Sequence, residues 1–249
     1  MIRVALAVTA LVLAAACGQT TPTSSGPART TLTVFAAASL QPAFDKIGLK
    51  LQVTQNIVTT FSYAGTQTLT MQLTQGAPAD VFASADVAHM TSLQSAGLMH
   101  DSLLFAHNRL EIAVGKGNPK GVHTLADLAR SGLVVVLADP SVPAGKYAAQ
   151  ALAKAGVTVH PASLEQQVTG VLTKVAFGEA DAGIVYVSDV VTSGKVDGVT
   201  IPNDQNVIAD YVIGELQSAS NSAGANAFID LVLSADGQTI LRAAGFEGV

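Results

Sequence analysis

Beyond residue 30 the chain alternates short apolar runs of strand length with segments whose apolar residues recur every three or four positions. The runs at 31–37 (TLTVFAA), 57–63 (IVTTFSY), 79–84 (ADVFAS), 110–114 (LEIAV), 134–138 (VVVLA), 182–187 (AGIVYV) and 209–213 (ADYVI) predict strands. Helical spacing covers 40–47, 68–74, 89–96, 125–130, 144–155, 166–177, 226–233 and 237–244. Strand and helix in turn predict an α/β fold with largely parallel sheets. Two sheets fit this order, with 110–114 and 209–213 as the two strands that cross between them. Residues 31–112 plus 211–249 would then form one lobe and 113–210 the other.

The first thirty residues follow a different pattern. A short positive start is followed by an apolar or small run over 4–16, too short for a hydrocarbon core that needs about 20 residues. This predicts a signal peptide over 1–16. The run ends Leu13-Ala14-Ala15-Ala16-Cys17-Gly18, and Cys17 is the chain's single cysteine. Small residues before a cysteine resemble a bacterial lipoprotein cleavage box. Cys17 would then carry lipid and anchor the protein to the outer face of the cell membrane without spanning it. Residues 17–30, rich in Thr, Ser, Pro and Gly, predict a flexible linker.

Composition narrows the function. Hydrophobic residues make up 49%, charged residues 12%, and mean hydropathy is +0.42, so the body is a folded core and not a disordered chain. The net charge of −5 comes with no basic stripe, which sets nucleic-acid binding aside. One cysteine excludes an intramolecular disulfide. The five histidines show no ligand spacing, so no direct protein–metal site is expected. G-x-S-x-G, the P-loop and G-x-G-x-x-G are absent, which argues against an enzyme.

The candidate chemistry lies where strands give way to helices. Ser39 and Pro42 follow the first strand, with Ser39 placed as a helix N-cap. Gly65 and Thr66 follow the second. The stretch Asp139-Pro140-Ser141-Val142-Pro143-Ala144-Gly145 follows the 134–138 strand, and Glu165-Gln166-Gln167-Val168 opens another helix. Helix N-termini carry unsatisfied N–H groups and the positive end of the dipole. Several aimed at one point would hold an anion without lysine or arginine. Asp80 and Asp86 are expected to bind backbone N–H groups, since a carboxylate would repel such an anion.

Four blocks carry a family resemblance: Val34-Phe35-Ala36-Ala37-Ala38-Ser39-Leu40; Gly76-Ala77-Pro78-Ala79-Asp80-Val81-Phe82-Ala83-Ser84-Ala85-Asp86; Val142-Pro143-Ala144-Gly145 with Tyr147; and Ala182-Gly183-Ile184-Val185-Tyr186 with Ser188-Asp189. In this order they resemble the molybdate-binding proteins of ABC importers over residues 31–249. The resemblance implies a two-lobed periplasmic binding protein type II fold, with two mixed sheets flanked by helices and joined by two hinge strands. It implies a monomer without cofactor or catalysis. Such a protein captures molybdate or tungstate in the cleft and delivers it to a permease and its ATPase. Carried over position by position, the oxyanion contacts are the hydroxyl and N–H of Ser39 and Thr66, the N–H of Ala144 and Val168, and the phenol of Tyr186. The metal would arrive as its oxyanion, with no protein atom bound to it. A protein of the same fold for another oxyanion, such as sulfate or phosphate, is the alternative.

Overall fold

The computed structural model describes residues 30–249. The expected signal peptide, Cys17 and most of the linker lie outside the described residues; Thr30, placed in the linker, already pairs with Ile57.

The elements in chain order are β1 (Thr30–Ala37), α1 (Gln41–Gln55), β2 (Ile57–Ala64), α2 (Thr66–Thr74), β3 (Val81–Ser84), α3 (Val87–Ser95), β4 (Met99–Gly115), β5 (Val135–Ala138), α4 (Pro143–Lys154), β6 (Ser163–Glu165), α5 (Val168–Ala176), β7 (Ala182–Tyr186), α6 (Val187–Ser193), β8 (Val196–Thr200), β9 (Ile208–Leu216), α7 (Ser222–Leu233) and α8 (Ala235–Ala243). Short 3-10 turns cover Ala38–Leu40 and Leu125–Ala129.

The strand order is β2-β1-β3-β9-β4-β7-β5-β6, with β8 also paired to β4. The structure is therefore α/β, with a mixed sheet and flanking helices. β1 runs parallel to β2 and β3, and β5 runs parallel to β6 and β7. The two parallel groups are joined through antiparallel β9 and β4. β4 pairs with β9 over Met99–Arg109, then with β7 and β8 over Leu110–Gly115. The expected crossings at 110–114 and 209–213 thus lie within longer strands, and the two sheets are continuous through β4.

Packing follows the periodicity. α1 buries Ala43, Phe44, Ile47, Gly48 and Leu51, one stripe at helical spacing. Phe44 meets Phe228 of α7 edge to face at 5.3 Å, which ties α7 to α1. α5 buries Val168, Val171 and Val175. A Cβ at Gly183 of β7 would lie 2.4 Å from Val171 Cγ1, so glycine there sets how closely α5 sits on the strand.

Four segments depart from the sequence expectation. The 99–109 part of β4 (MHDSLLFAHNR) has no clean alternation, because β9 supplies its pairing from more than a hundred residues away. The three-residue β6 and the polar β8 are likewise held by their neighbours. α6 begins at Val187, where a strand had been expected to continue; its β-branched residues favour strands, but Asp189 fixes its start by accepting the Tyr186 N–H at 3.0 Å.

Candidate functional site

The carboxyl ends of β1, β2, β3, β6 and β7, with the loop that follows β5, converge on one small cavity. Ligands in open α/β sheets lie at this end of the strands. Ser39, Thr66, Ala144, Val168 and Tyr186 all line it. So do Gly65, Ala85, Val142, Pro143 and Gln167, with small alanines after β1 and at the end of β2. No charged residue lines it among the described residues.

Each element presents a donor for a local reason. Ser39 lies in the 3-10 turn between β1 and α1 and is 4% exposed. It does not cap the helix as expected: α1 has no side-chain cap, and Ser39 Oγ instead lies 2.8 Å from the hydroxyl of Tyr211. Pro42 does stand in the first turn of α1. Thr66 is the first residue of α2, is 1% exposed, and its Oγ1 accepts the N–H of Ala85 at 3.2 Å. With that lone pair engaged, the Thr66 proton is left to donate elsewhere. Ala144 is the second residue of α4, after Pro143, and Val168 is the first of α5. Tyr186 closes β7 and is buried. Its hydroxyl makes no hydrogen bond, although Tyr211 is close enough to influence its ionisation.

Capping separates six of the helices into two groups. α3, α7 and α8 are capped by Asp86, Asn221 and Ser234, which accept from the N–H groups of His89, Gly224 and Gly237. α2, α4 and α5 start at the cavity and have Gly65, Val142 and Gln167 at the N-cap, with no side-chain hydrogen bond. Their first N–H groups lack a capping acceptor just where a ligand would supply one. The acids of the second block sit elsewhere, as expected. Asp80 accepts N–H groups of Thr33, Ser220 and Asn221, and Asp86 caps α3. Burial works to raise the Asp86 carboxyl, but hydrogen bonds from His89 hold it below its usual value.

One close approach joins the two sides of the cavity. A Cβ on Gly65 would lie 2.5 Å from the carbonyl oxygen of Gln166, and Gln67 Nε2 donates to that oxygen at 2.8 Å. The chain before α2 thus touches the chain before α5 across the cavity mouth.

Burial pushes the Tyr186 phenol well above its ordinary value, so it stays a neutral donor. Asp189 is 3% exposed, and burial pushes its carboxyl up to about 7 against the lowering effect of the Tyr186 N–H. Between about pH 4 and 7 the folded protein holds a proton that the unfolded chain has lost. Stability therefore falls as pH rises through that window. Asp189→Asn keeps an acceptor for Tyr186 N–H but cannot ionise. Urea unfolding at pH 5 and pH 8 should show wild type losing stability relative to this variant; a constant difference would contradict the assignment.

Sequence reasoning found the five expected cavity positions but missed Tyr211. A lone buried tyrosine in an apolar strand gives no local signal. Among the described residues no group of acids, histidines or cysteines is arranged to hold a metal, and no helix is long and apolar enough to cross a membrane.

The fold and site define a solute-binding architecture, and the family model described as "Bacterial extracellular solute-binding protein" matches residues 32–247. The chain belongs to that family, which is one of binding proteins and not enzymes. It is 44% identical over 239 residues to the "Molybdate-binding protein ModA" of Mycobacterium tuberculosis, spanning 93% of this chain and 91% of that protein. Its fold matches the periplasmic molybdate-binding protein of Azotobacter vinelandii with a TM-score of 0.77 at 20% identity, over 86% of this chain and 98% of that one. It also matches the sulfate-binding protein SubI of Mycobacterium tuberculosis with a TM-score of 0.77 at 19% identity, over 88% of this chain and 87% of that one.

Proposed function

We propose that this protein captures molybdate, and the like-shaped tungstate dianion, in the cavity at the carboxyl ends of its parallel strands. It then delivers the ion to an ABC permease driven by an ATPase. The observation that carries the reading is the cavity's donor set: uncapped starts of α2, α4 and α5, hydroxyls of Ser39, Thr66 and Tyr186, and no charged group in the lining. A tetrahedral dianion offers only acceptors, so every contact must be a donor. The backbone N–H groups of Ser39, Thr66, Ala144 and Val168 supply four, and the three hydroxyls complete the set. Each bond to a charged group contributes about 1.5–3 kcal/mol.

The fold is shared with a sulfate-binding protein, so the fold does not choose the anion. The sequence likeness to a molybdate-binding relative favours molybdate. Sulfate has the same charge and shape but is smaller, and would leave buried donors unmet.

Capture proceeds by closure of two lobes, 31–112 plus 211–249 against 113–210. Ser39 and Thr66 belong to the first; Ala144, Val168 and Tyr186 to the second. The strands β4 and β9 that run between them serve as the hinge. The Gln67–Gln166 contact then joins lobe to lobe. Lipid on Cys17 would tether the protein outside the cell membrane.

Calorimetric titration of purified protein with molybdate, then competition by sulfate, tests this reading. One-to-one binding that excess sulfate does not displace is expected, with little change between low and moderate salt because the donors are neutral and buried. X-ray scattering should show compaction on saturation. No heat with molybdate, or free displacement by sulfate, would reassign the ligand.

A further inference from the structure

To serve an oxyanion, the Ser39 proton must be aimed into the cavity. A serine hydroxyl has one proton and two lone pairs, and an oxyanion can be served only by the proton. A hydroxyl that spent its proton on a protein acceptor would face the ligand with a lone pair and repel it. At Thr66 the protein removes this ambiguity, because the Ala85 N–H occupies an Oγ1 lone pair. Ser39 Oγ has a different neighbour, the Tyr211 hydroxyl at 2.8 Å, and by distance alone either can donate.

We propose that Tyr211 is a positioning residue for the anion site, donating its phenol proton to Ser39 Oγ and so leaving the Ser39 proton for the bound oxyanion. This rests on the oxyanion reading and deepens it.

Three observations support the direction. First, Tyr211 is not in the cavity lining, so it acts from behind Ser39. Second, its ring is fixed. Tyr211 is fully buried, and packs edge to face against Phe246 at 5.2 Å, Tyr186 at 5.8 Å and Phe105 at 6.2 Å. A fixed ring gives the hydroxyl oxygen one location. Third, once a bound anion accepts the Ser39 proton, Ser39 Oγ can meet the Tyr211 hydroxyl 2.8 Å away only as an acceptor. β9 thus backs two cavity hydroxyls, Ser39 by a hydrogen bond and Tyr186 by ring contact.

The test is a double-mutant cycle read by molybdate titration, with ligand-free stability measured alongside. Tyr211→Phe should weaken binding by about tenfold, the scale of one hydrogen bond. In a Ser39→Ala background the same change should cost less than about twofold, because its route to the anion is gone. Equal losses in both backgrounds, or unchanged affinity in Tyr211→Phe, would overturn the proposal. Should the phenylalanine variant not fold, 3-fluorotyrosine at position 211 replaces it. The more acidic phenol is a stronger donor and should tighten binding; weakened or unchanged binding would show that Tyr211 does not donate. Failure of wild-type protein to bind molybdate would overturn the functional reading and this proposal with it. Wild-type binding with no coupling overturns the proposal alone.

Discussion

Removing both side-chain hydroxyls of the first lobe, Ser39→Ala together with Thr66→Val, is expected to weaken molybdate binding by roughly a hundredfold or more. Each hydroxyl stands to give one charge-assisted hydrogen bond, about 1.5–3 kcal/mol, or about tenfold or more in affinity. Both are buried, so water cannot substitute for them in a closed cavity. The two changes differ in their effect on the fold. Ser39→Ala removes the 2.8 Å hydroxyl partner of Tyr211 and leaves the backbone bonds untouched. Thr66→Val keeps the side-chain shape but strands the Ala85 N–H, at a cost of about 1–3 kcal/mol. Titration of the single and double variants, with urea unfolding of each, separates these effects. A folded double variant within threefold of wild type would mean that the hydroxyls are only packing groups.

The second large effect is expected at Gly145, in the first turn of α4. A Cβ there would lie 2.1 Å from the Asp139 carbonyl oxygen and 2.5 Å from that of Ala138. Both are backbone atoms at the end of β5, so neither can swing away. Gly145→Ala must therefore push the start of α4 off the strand. Overpacking of this kind costs about 1–3 kcal/mol, occasionally more. The displaced turn carries Pro143 and Ala144, which line the cavity. Loss of stability in urea together with loss of molybdate affinity is the expected result. Ala149→Ser, at an exposed position of the same helix, should change neither. A Gly145→Ala protein with wild-type stability and affinity would contradict the packing described.

Much of the fold was legible because many of its strands are buried runs flanked by helices. The strand at 134–138 differs from the structure by one residue, since burial of every residue of β5 demands continuous apolar sequence. The helices carrying Ala144 and Val168 were equally readable from their apolar stripes. Strand 99–109 was not legible. Its residues gain their conformation from β9, and a sequence window contains no partner from 208–216. The same limit hid Tyr211. The site's small residues were visible as a pattern, but the reason for their size was not: Gly65 and Gly145 are constrained by carbonyls of Gln166 and Asp139, one distant in sequence and one local.

The α/β class, the main core-facing periodicity and the strand-to-helix junctions where donors lie are written in the sequence alone. These are properties of local spacing and composition, which a linear chain carries in full. Tertiary packing alone brings six junctions to one cavity with no charged residue in its described lining, starts α2, α4 and α5 there uncapped, and turns Ser39 to Tyr211 instead of to its own helix. Those depend on which distant segments come within about 3 Å, the range over which a hydrogen bond acts. That proximity is set by the packing of the whole sheet, which no local window contains.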